Sequence, residues 1–440
     1  MHIENIHIQN FRCFADTTIP FSRQFNALIG DNGSGKSAVL DALSVGVGAF
    51  LLGIDQMPSR NIGSNDVRLV RRTEDDIPTV EQQYPVRITL DGILGKQPVS
   101  WNRTVRAEDG KTTRSTARSI KAVAADLQQK VRSQETVTLP LIAYYGTGRM
   151  WYQGRRLIIV RKNGEEAGVK GQSPETIGPG SRLAGYENCL SAETNQRFLT
   201  KWLRTLELSS LQRRSHNSTL VGLKSAVNRC MDTWKNLTYD VLLHELVVED
   251  NDGELLPIRF LSDGQRNVLF MVLDIAYRAS TLNPHFNGDA CNKTPGVVLV
   301  DEIDLHLHPN WQRRIVDDLR ETFPQLQFIV STHSPQIIQS LRKGELIDLG
   351  PSPLGEYVGK SPEDILENVM DVDLPQRSER SKRMIDAAEE YYKVLRQDRE
   401  ATSGEQLIRL KQDLDKLSEP FADNEAYIAF LRQERLTNGM

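Results

Sequence analysis

The sequence predicts an α/β protein: a mixed sheet with flanking helices and an antiparallel β lobe, carrying a helical insertion and a helical C-terminal appendage. Three observations lead there. A short apolar run, residues 25–29, ends in a glycine-rich loop that opens a helix at Ser37. A second, Val-rich run from Gly296 to Val300 ends in the two carboxylates Asp301 and Glu302, as expected of a buried parallel strand whose C-terminal end meets a ligand. After Ser361 the pattern turns helical and stays so.

In chain order, residues 2–9 alternate around Ile3, Ile6 and Ile8, so two early strands are expected, the second at Phe25–Ile29. Between about 79 and 106, the runs YPVRITL and PVSWNRTV read as an antiparallel hairpin and hence a small β lobe. Residues 112–135 read as an amphipathic helix with a basic face, and Leu139–Tyr145 as a strand. From Glu193 to about Thr238 the spacing of Phe198, Trp202, Leu206, Leu223, Val227 and Met231 is helical. No heptad repeat extends it into a rod. Ser361-Pro362-Glu363-Asp364 is a helix start, with a capping serine and proline at the first helical position. Ser403–Gln406 offers a second capping box ahead of Leu407, Leu410, Leu414 and Leu417. The expected division is an α/β domain over 1–360, with the lobe and helical insertion at 53–250, and a helical region over 361–440.

Composition narrows the class. The chain has 440 residues, 39% hydrophobic and 25% charged, with 54 Lys and Arg against 58 Asp and Glu, so its net charge of -4 does not announce a nucleic-acid binder. Cys13, Cys189, Cys230 and Cys291 are scattered without a CxxC pair, which suits a reducing cytoplasm better than a disulfide framework or zinc module. The apolar stretch Ser44–Ile54 falls short of the roughly 20 residues of a membrane span. No membrane contact and no leader are expected.

Gly30-Asp31-Asn32-Gly33-Ser34-Gly35-Lys36-Ser37 fits GxxxxGK[ST] in the strand–loop–helix context that the motif requires. Glycines let backbone N–H groups curl around a phosphate, the helix N-terminus adds positive potential, Lys36 neutralises β and γ oxygens, and Ser37 can ligate Mg²⁺. Asp301 is the second candidate for the Mg²⁺ sphere, and Glu302 for orienting or deprotonating water. ATP and Mg²⁺ are therefore the expected ligands. Residues 326–333 form another strand ending in a polar group, where His333 can donate to a γ-phosphate. His306 and His308 form an HxH, but no further Cys or His stands at zinc-site spacing.

Phe260-Leu261-Ser262-Asp263-Gly264-Gln265-Arg266 precedes a helical run, with Ser262 as cap and Gly264 allowing close backbone approach. Here the chain resembles the ABC ATPases, whose LSGGQ signature stands as LSDGQ at Leu261–Gln265. The resemblance implies that Ser262, Gly264, Gln265 and their helix bind a γ-phosphate held on another subunit's loop, so that the working unit is at least a homodimer. Within the family, Ile8–Phe14, DEIDLHLHP from Asp301 and STHSPQII around His333 resemble the soluble SMC, RecF and OLD branch. By that likeness Arg12 lies near the nucleotide; a plain surface arginine is the alternative. The branch's lobe glutamine has no counterpart, and Tyr144–Arg149 stands in its place.

YYGTGR, LSDGQR and DEIDLHLHP together resemble the Septu-type ATPases of bacterial anti-phage defence and their retron-associated relatives. That resemblance implies a slow or regulated ATPase that assembles with and controls a nuclease of the HNH type. Alternatives are a DNA-repair ATPase, a transporter subunit, or an OLD-like nuclease, whose DxD has only a weak echo in Asp371-Val372-Asp373. Arg103, Arg106, Lys111, Arg114, Arg118, Lys121, Lys130 and Arg132, followed by Arg149, Arg155, Arg156, Arg161 and Lys162, could form a face for DNA or RNA backbone or a solvated surface. The tail could pack on its own domain or receive the partner.

Overall fold

The computed structural model describes residues 1–74, 77–95, 97–148, 159–160, 166–167, 181–192, 195–213, 217–231, 234–350, 357–370, 372, 379–397 and 404–418. They divide into two compact units, Met1–Gly359 and Lys360–Met440.

β1 (His2–Phe11) buries Ile3, Ile6, Ile8 and Phe11. It pairs antiparallel with β2 (Phe14–Pro20), a strand the sequence reading lacks, because among its apolar residues only Ile19 is fully inside. β3 (Phe25–Ile29) is buried at every position. The glycine loop leads into α1 (Lys36–Val47), and the apolar stretch Lys36–Gly53 is 83% buried within the fold, so its hydrophobicity belongs to the core. β4 (Leu69–Glu74) and β5 (Ile77–Gln82) form an antiparallel ribbon. β6 (Val86–Leu94) and β7 (Gln97–Val105) form the expected hairpin, giving an antiparallel sheet of order β2-β1-β6-β7. α1 lies against this sheet, and Trp101 Nε1 donates to the Gly46 carbonyl at 2.8 Å.

α2 (Arg118–Arg132) is shorter than the predicted helix because a 3₁₀ turn occupies Ser115–Ala117. β8 (Leu141–Tyr145) is buried throughout. β9 (Ile159–Val160) and β10 (Glu166–Ala167) form a small separate pair. α3 (Gln196–Arg213) and α4 (Ser218–Cys230) carry the helical pattern, but the helix does not run on to Thr238. β11 (Trp234–Asp240), β12 (Glu245–Asp250) and β13 (Leu255–Pro257) instead form an antiparallel sheet. A bulge between Trp234 and Asn236 spaces the buried Trp234 and Leu237 at a helix-like interval, which hides the strand period.

α5 (Asp263–Leu282) and the short α6 (Ala290–Lys293) precede β14 (Gly296–Val300). α7 (Pro309–Gln312), α8 (Ile315–Thr322), β15 (Leu326–Ser331), α9 (Pro335–Gln339) and β16 (Leu346–Asp348) complete the first unit. The central sheet is wholly parallel, in the order β16-β3-β15-β14-β8. β3, β15 and β14 are buried at every position, the near-continuous apolar pattern of a sheet covered on both faces. Each fully buried Val, Leu or Ile contributes about 1.5–3 kcal/mol.

In the second unit, Ser361 caps α10 (Pro362–Asn368) through the expected box with Asp364. α11 (Glu379–Gln397) and α12 (Gly404–Ser418) follow. Met384, Ala388, Tyr391 and Leu414 form their core, with Leu410 and Leu417 packed against it. Ser403, Asp371 and Asp373 lie outside the described residues.

Candidate nucleotide site

The glycine loop joins β3 to α1 at the C-terminal edge of the parallel sheet. Gly35 holds φ 103 at the N-cap of α1, a left-handed backbone that a side chain would strain, and no side chain caps the helix. The first-turn N–H groups are thus left for a ligand. Ser34 Oγ is buried without a partner among the described residues. Lys36 is 8% exposed, and its ammonium donates to the carbonyls of Gly30 at 2.7 Å and Asp31 at 2.9 Å. Burial draws the Lys36 pKa below 10.5, opposed by Asp301, Asp31, Glu302 and Asp304, so the loop and the acidic strand end share one electrostatic field. An orphaned hydroxyl, an uncapped helix start and a cation among carboxylates fit a magnesium-bound phosphate chain. Asp31, Asn32, Gly33 and Ser37 are exposed on the same loop.

The acidic end of β14 is organised by a residue that the sequence reading passed over. Ser331, the last residue of β15, donates to Asp301 Oδ1 at 2.5 Å, and its hydroxyl accepts the Glu302 N–H at 2.7 Å. Its carbonyl accepts the Ile303 N–H at 3.0 Å. One side chain thereby holds the Asp301 carboxylate and the Glu302 backbone, and Glu302 sits at φ 48, a conformation uncommon outside glycine. Beyond it, Thr332 donates to Asp304 Oδ1 at 2.6 Å and Ser334 caps α9, so the half-buried His333 is flanked by fixed neighbours. His306 is exposed at φ 63, and His308 caps α7 through the Asn310 N–H.

Ser262 caps α5 reciprocally: its hydroxyl accepts the Gln265 N–H at 3.3 Å, while the Gln265 side chain accepts the Ser262 N–H at 3.0 Å. Ser262 and Asp263 are exposed, whereas Gly264 is buried. A Cβ at Gly264 would stand 2.2 Å from the His306 carbonyl, so the glycine is what lets α5 seat against the loop that follows Glu302.

Arg12, at φ 49 in the β1–β2 turn, pairs with Asp41 at 2.6 Å and with Asp66 at 2.7 Å, and these carboxylates favour its charged form despite burial. Asp41, on α1, also receives Arg60 at 2.7 Å and the Tyr144 hydroxyl at 3.0 Å. Sequence spacing gives no sign of this hub.

The basic segment divides. Arg103 is completely buried, with Nη1 on Ser59 and Nη2 on Asn61, so it leaves the expected surface face. Lys130 is held by Asp126 and Arg132 by Asp55. Arg106, Lys111, Arg114, Arg118 and Lys121 are exposed. Arg149, Arg155, Arg156, Arg161 and Lys162 lie outside the described residues.

A family described as AAA domain matches residues 5–233, more than half of the chain. The chain belongs to this AAA-domain family. A second match, described as AAA domain, putative AbiEii toxin, Type IV TA system, covers 191–339. The Retron Ec83 probable ATPase of Escherichia coli is 26% identical over 387 residues, 78% of this chain and 70% of that protein. The Retron Vc95 probable ATPase of Vibrio cholerae serotype O1 biovar El Tor is 24% identical, over 79% of this chain and 73% of that protein. Septu protein PtuA of Bacillus thuringiensis is 28% identical over 40% of this chain and 45% of its own. Among solved structures, an SMC head domain from Thermotoga maritima covers 79% of this chain and 94% of its own at 14% identity and TM-score 0.39, too loose a likeness to build upon. This AAA-domain chain is thus related to the Septu and retron ATPases.

Proposed function

We propose that the chain is the ATP-binding and ATP-hydrolysing subunit of a bacterial anti-phage defence assembly, with ATP sandwiched between the Gly30–Ser37 loop of one protomer and the Ser262-led helix of another. The observation that carries this reading is the attitude of the signature turn. Ser262 and Asp263 are exposed while Gly264 is seated beneath them on the His306 carbonyl, so the helix N-terminus faces outward, which supports an anion from another chain as its ligand.

In this reading Lys36, Ser34 and the N–H groups of the loop bind the phosphates. Ser37 and Asp301 hold Mg²⁺, which when bound neutralises phosphate oxygens. Glu302, its backbone fixed by Ser331, orients or deprotonates the attacking water, and His333 donates to the γ-phosphate. Hydrolysis is slow or regulated, as befits a subunit that licenses another enzyme. The Septu and retron relatives support placement in defence. An HNH-type nuclease is the proposed partner, the helical region 361–440 its dock, and Arg106, Lys111, Arg114, Arg118 and Lys121 a face for DNA or RNA backbone. Four free cysteines support a reducing cytoplasm.

The test is the mass of full-length Glu302→Gln in solution, with and without ATP and Mg²⁺. ATP should at least double it, and adding Ser262→Arg should undo the gain. An ATP-insensitive mass would sink the shared site.

A further inference from the structure

β8 ends in two adjacent tyrosines beside the acidic strand. Tyr144 lies opposite Leu299 and Tyr145 opposite Val300, and the Asp301 N–H donates to the Tyr145 carbonyl at 2.8 Å. Strand alternation sends the two side chains to opposite faces of the sheet. On one face, the Tyr144 hydroxyl donates to Asp41 of α1, the helix that opens at the phosphate loop. On the other, the Tyr145 hydroxyl donates at 2.6 Å to Asp274 Oδ2 of α5, the helix that Ser262 caps. Arg278 Nε donates to the same oxygen at 2.8 Å, and its Nη1 reaches the carbonyls of Gly185 and Glu187. Asp274 and Arg278 are each 8% exposed. The 185–192 segment in turn flanks β8, since the Tyr144 N–H donates to Cys189 and the Gly146 N–H to Ala192.

Phenylalanines would fill both positions as well as tyrosines do. What the hydroxyls add is direction. A buried charge pair gains little net stability from its own attraction, but a group hydrogen-bonded to it has one sharply defined place. The strand that neighbours Asp301 and Glu302 therefore grips both helices that bound the ATP site.

We propose that Tyr145 is a positioning residue for hydrolysis: through Asp274 and Arg278 it sets the Ser262-led helix against the strands that carry Asp301 and Glu302, while Tyr144 sets the phosphate-loop helix through Asp41. The inference rests on the composite-site reading, because only there does the attitude of α5 reach the reaction. Tyr145 then acts after nucleotide has bound, and Tyr144 acts on binding itself.

Full-length Tyr145→Phe is the probe and Tyr186→Phe its control, because Tyr186 is an equally buried tyrosine (1% exposed) whose hydroxyl donates to the Pro140 carbonyl at 2.8 Å and does not touch Asp274. Tyr145→Phe should lower kcat at saturating ATP at least about tenfold while leaving KM and the affinity for a fluorescent ATP analogue within about twofold. Tyr144→Phe should show the opposite split, and Tyr186→Phe neither. Native kcat in Tyr145→Phe, or equal losses in Tyr145→Phe and Tyr186→Phe at matched loss of Tm, would overturn the proposal. Ser262→Arg separates the two ideas. If it hydrolyses ATP at the native rate the composite site itself fails; if it is inactive while Tyr145→Phe is native, only the positioning role fails.

Discussion

Arg12 and Asp41 meet at 2.6 Å, bolting the first β turn to the helix that opens at the phosphate loop. Asp66 takes the other side of the same guanidinium, and Arg60 shares Asp41, so the cluster counts two cations against two carboxylates. Its side chains are 10–32% exposed, and truncating one partner leaves another charge half-buried and short of a counter-ion. Arg12→Ala should lose about 1–3 kcal/mol of stability in denaturant titration. Arg12→Lys should recover only part of that, because an ammonium cannot serve Asp41 and Asp66 as a fork does. Full recovery by lysine would reduce the site to simple charge balance.

Lys36 should behave in the opposite way. A cation whose pKa falls on folding weakens the fold while charged, and that penalty fades as pH rises through the folded pKa toward 10.5. Lys36→Met should therefore lose nucleotide binding while matching or exceeding native stability near neutral pH, an advantage that shrinks in the alkaline range. Parallel denaturant titrations at two pH values check this. A Lys36→Met chain clearly less stable than native would mean that the carbonyls of Gly30 and Asp31 more than offset the desolvation.

These two sites also mark what the sequence conveys. The glycine loop before α1 and the Asp301–Glu302 strand end are legible because their constraints are local: a left-handed glycine before a helix, an apolar strand meeting carboxylates. The Ser262 cap is local too. Asp41, Ser331 and Tyr145 act through partners far along the chain, and no periodicity records such pairing. β2 was missed because an edge strand with one buried apolar residue looks like loop, and β11 because its bulge mimics helical spacing.

Ser331→Ala should affect turnover more than folding. Ser331→Ala leaves Asp301 Oδ1 without that donor and the Glu302 N–H without its acceptor, at the residue held at φ 48. The stability loss should be about 1–3 kcal/mol. ATP affinity should stay near native, because Lys36 and the glycine loop are untouched, while kcat falls about tenfold or more, the equivalent of roughly 1.4 kcal/mol in the barrier. Binding by calorimetry and steady-state phosphate release separate the two. Unchanged kcat would show that the hydroxyl does not govern Glu302.

Gly264→Ala tests whether α5 is seated on the His306 loop. The added methyl would stand 2.2 Å from a backbone carbonyl, which cannot rotate aside as a flexible side chain could. Overpacking of this kind typically destabilises by about 1–3 kcal/mol. Hydrolysis should fall more steeply than stability does, since the displacement falls on the turn led by Ser262. Thermal melts and turnover measured together check this, and an alanine chain with native values of both would mean that the two segments can part without consequence.

Arg103 gives the sharpest separation of charge from surface. Its guanidinium is fully buried on the neutral Ser59 and Asn61, and burial, with Arg114 nearby, pushes its pKa down to about 10. No carboxylate among the described residues offsets it, so the charge is a burden that shape and two hydrogen bonds must outweigh. Arg103→Met keeps the bulk and removes the burden, and should change stability by less than about 1.5 kcal/mol. It should also leave nucleic-acid affinity unaltered, whereas Arg118→Glu with Lys121→Glu, on the exposed face of α2, should weaken binding to DNA of any sequence and flatten its salt dependence by about one to two counter-ions. Fluorescence anisotropy across a salt series reads both effects. If Arg103→Met weakened binding as much as the α2 pair did, the buried guanidinium would be acting at the surface, against its burial.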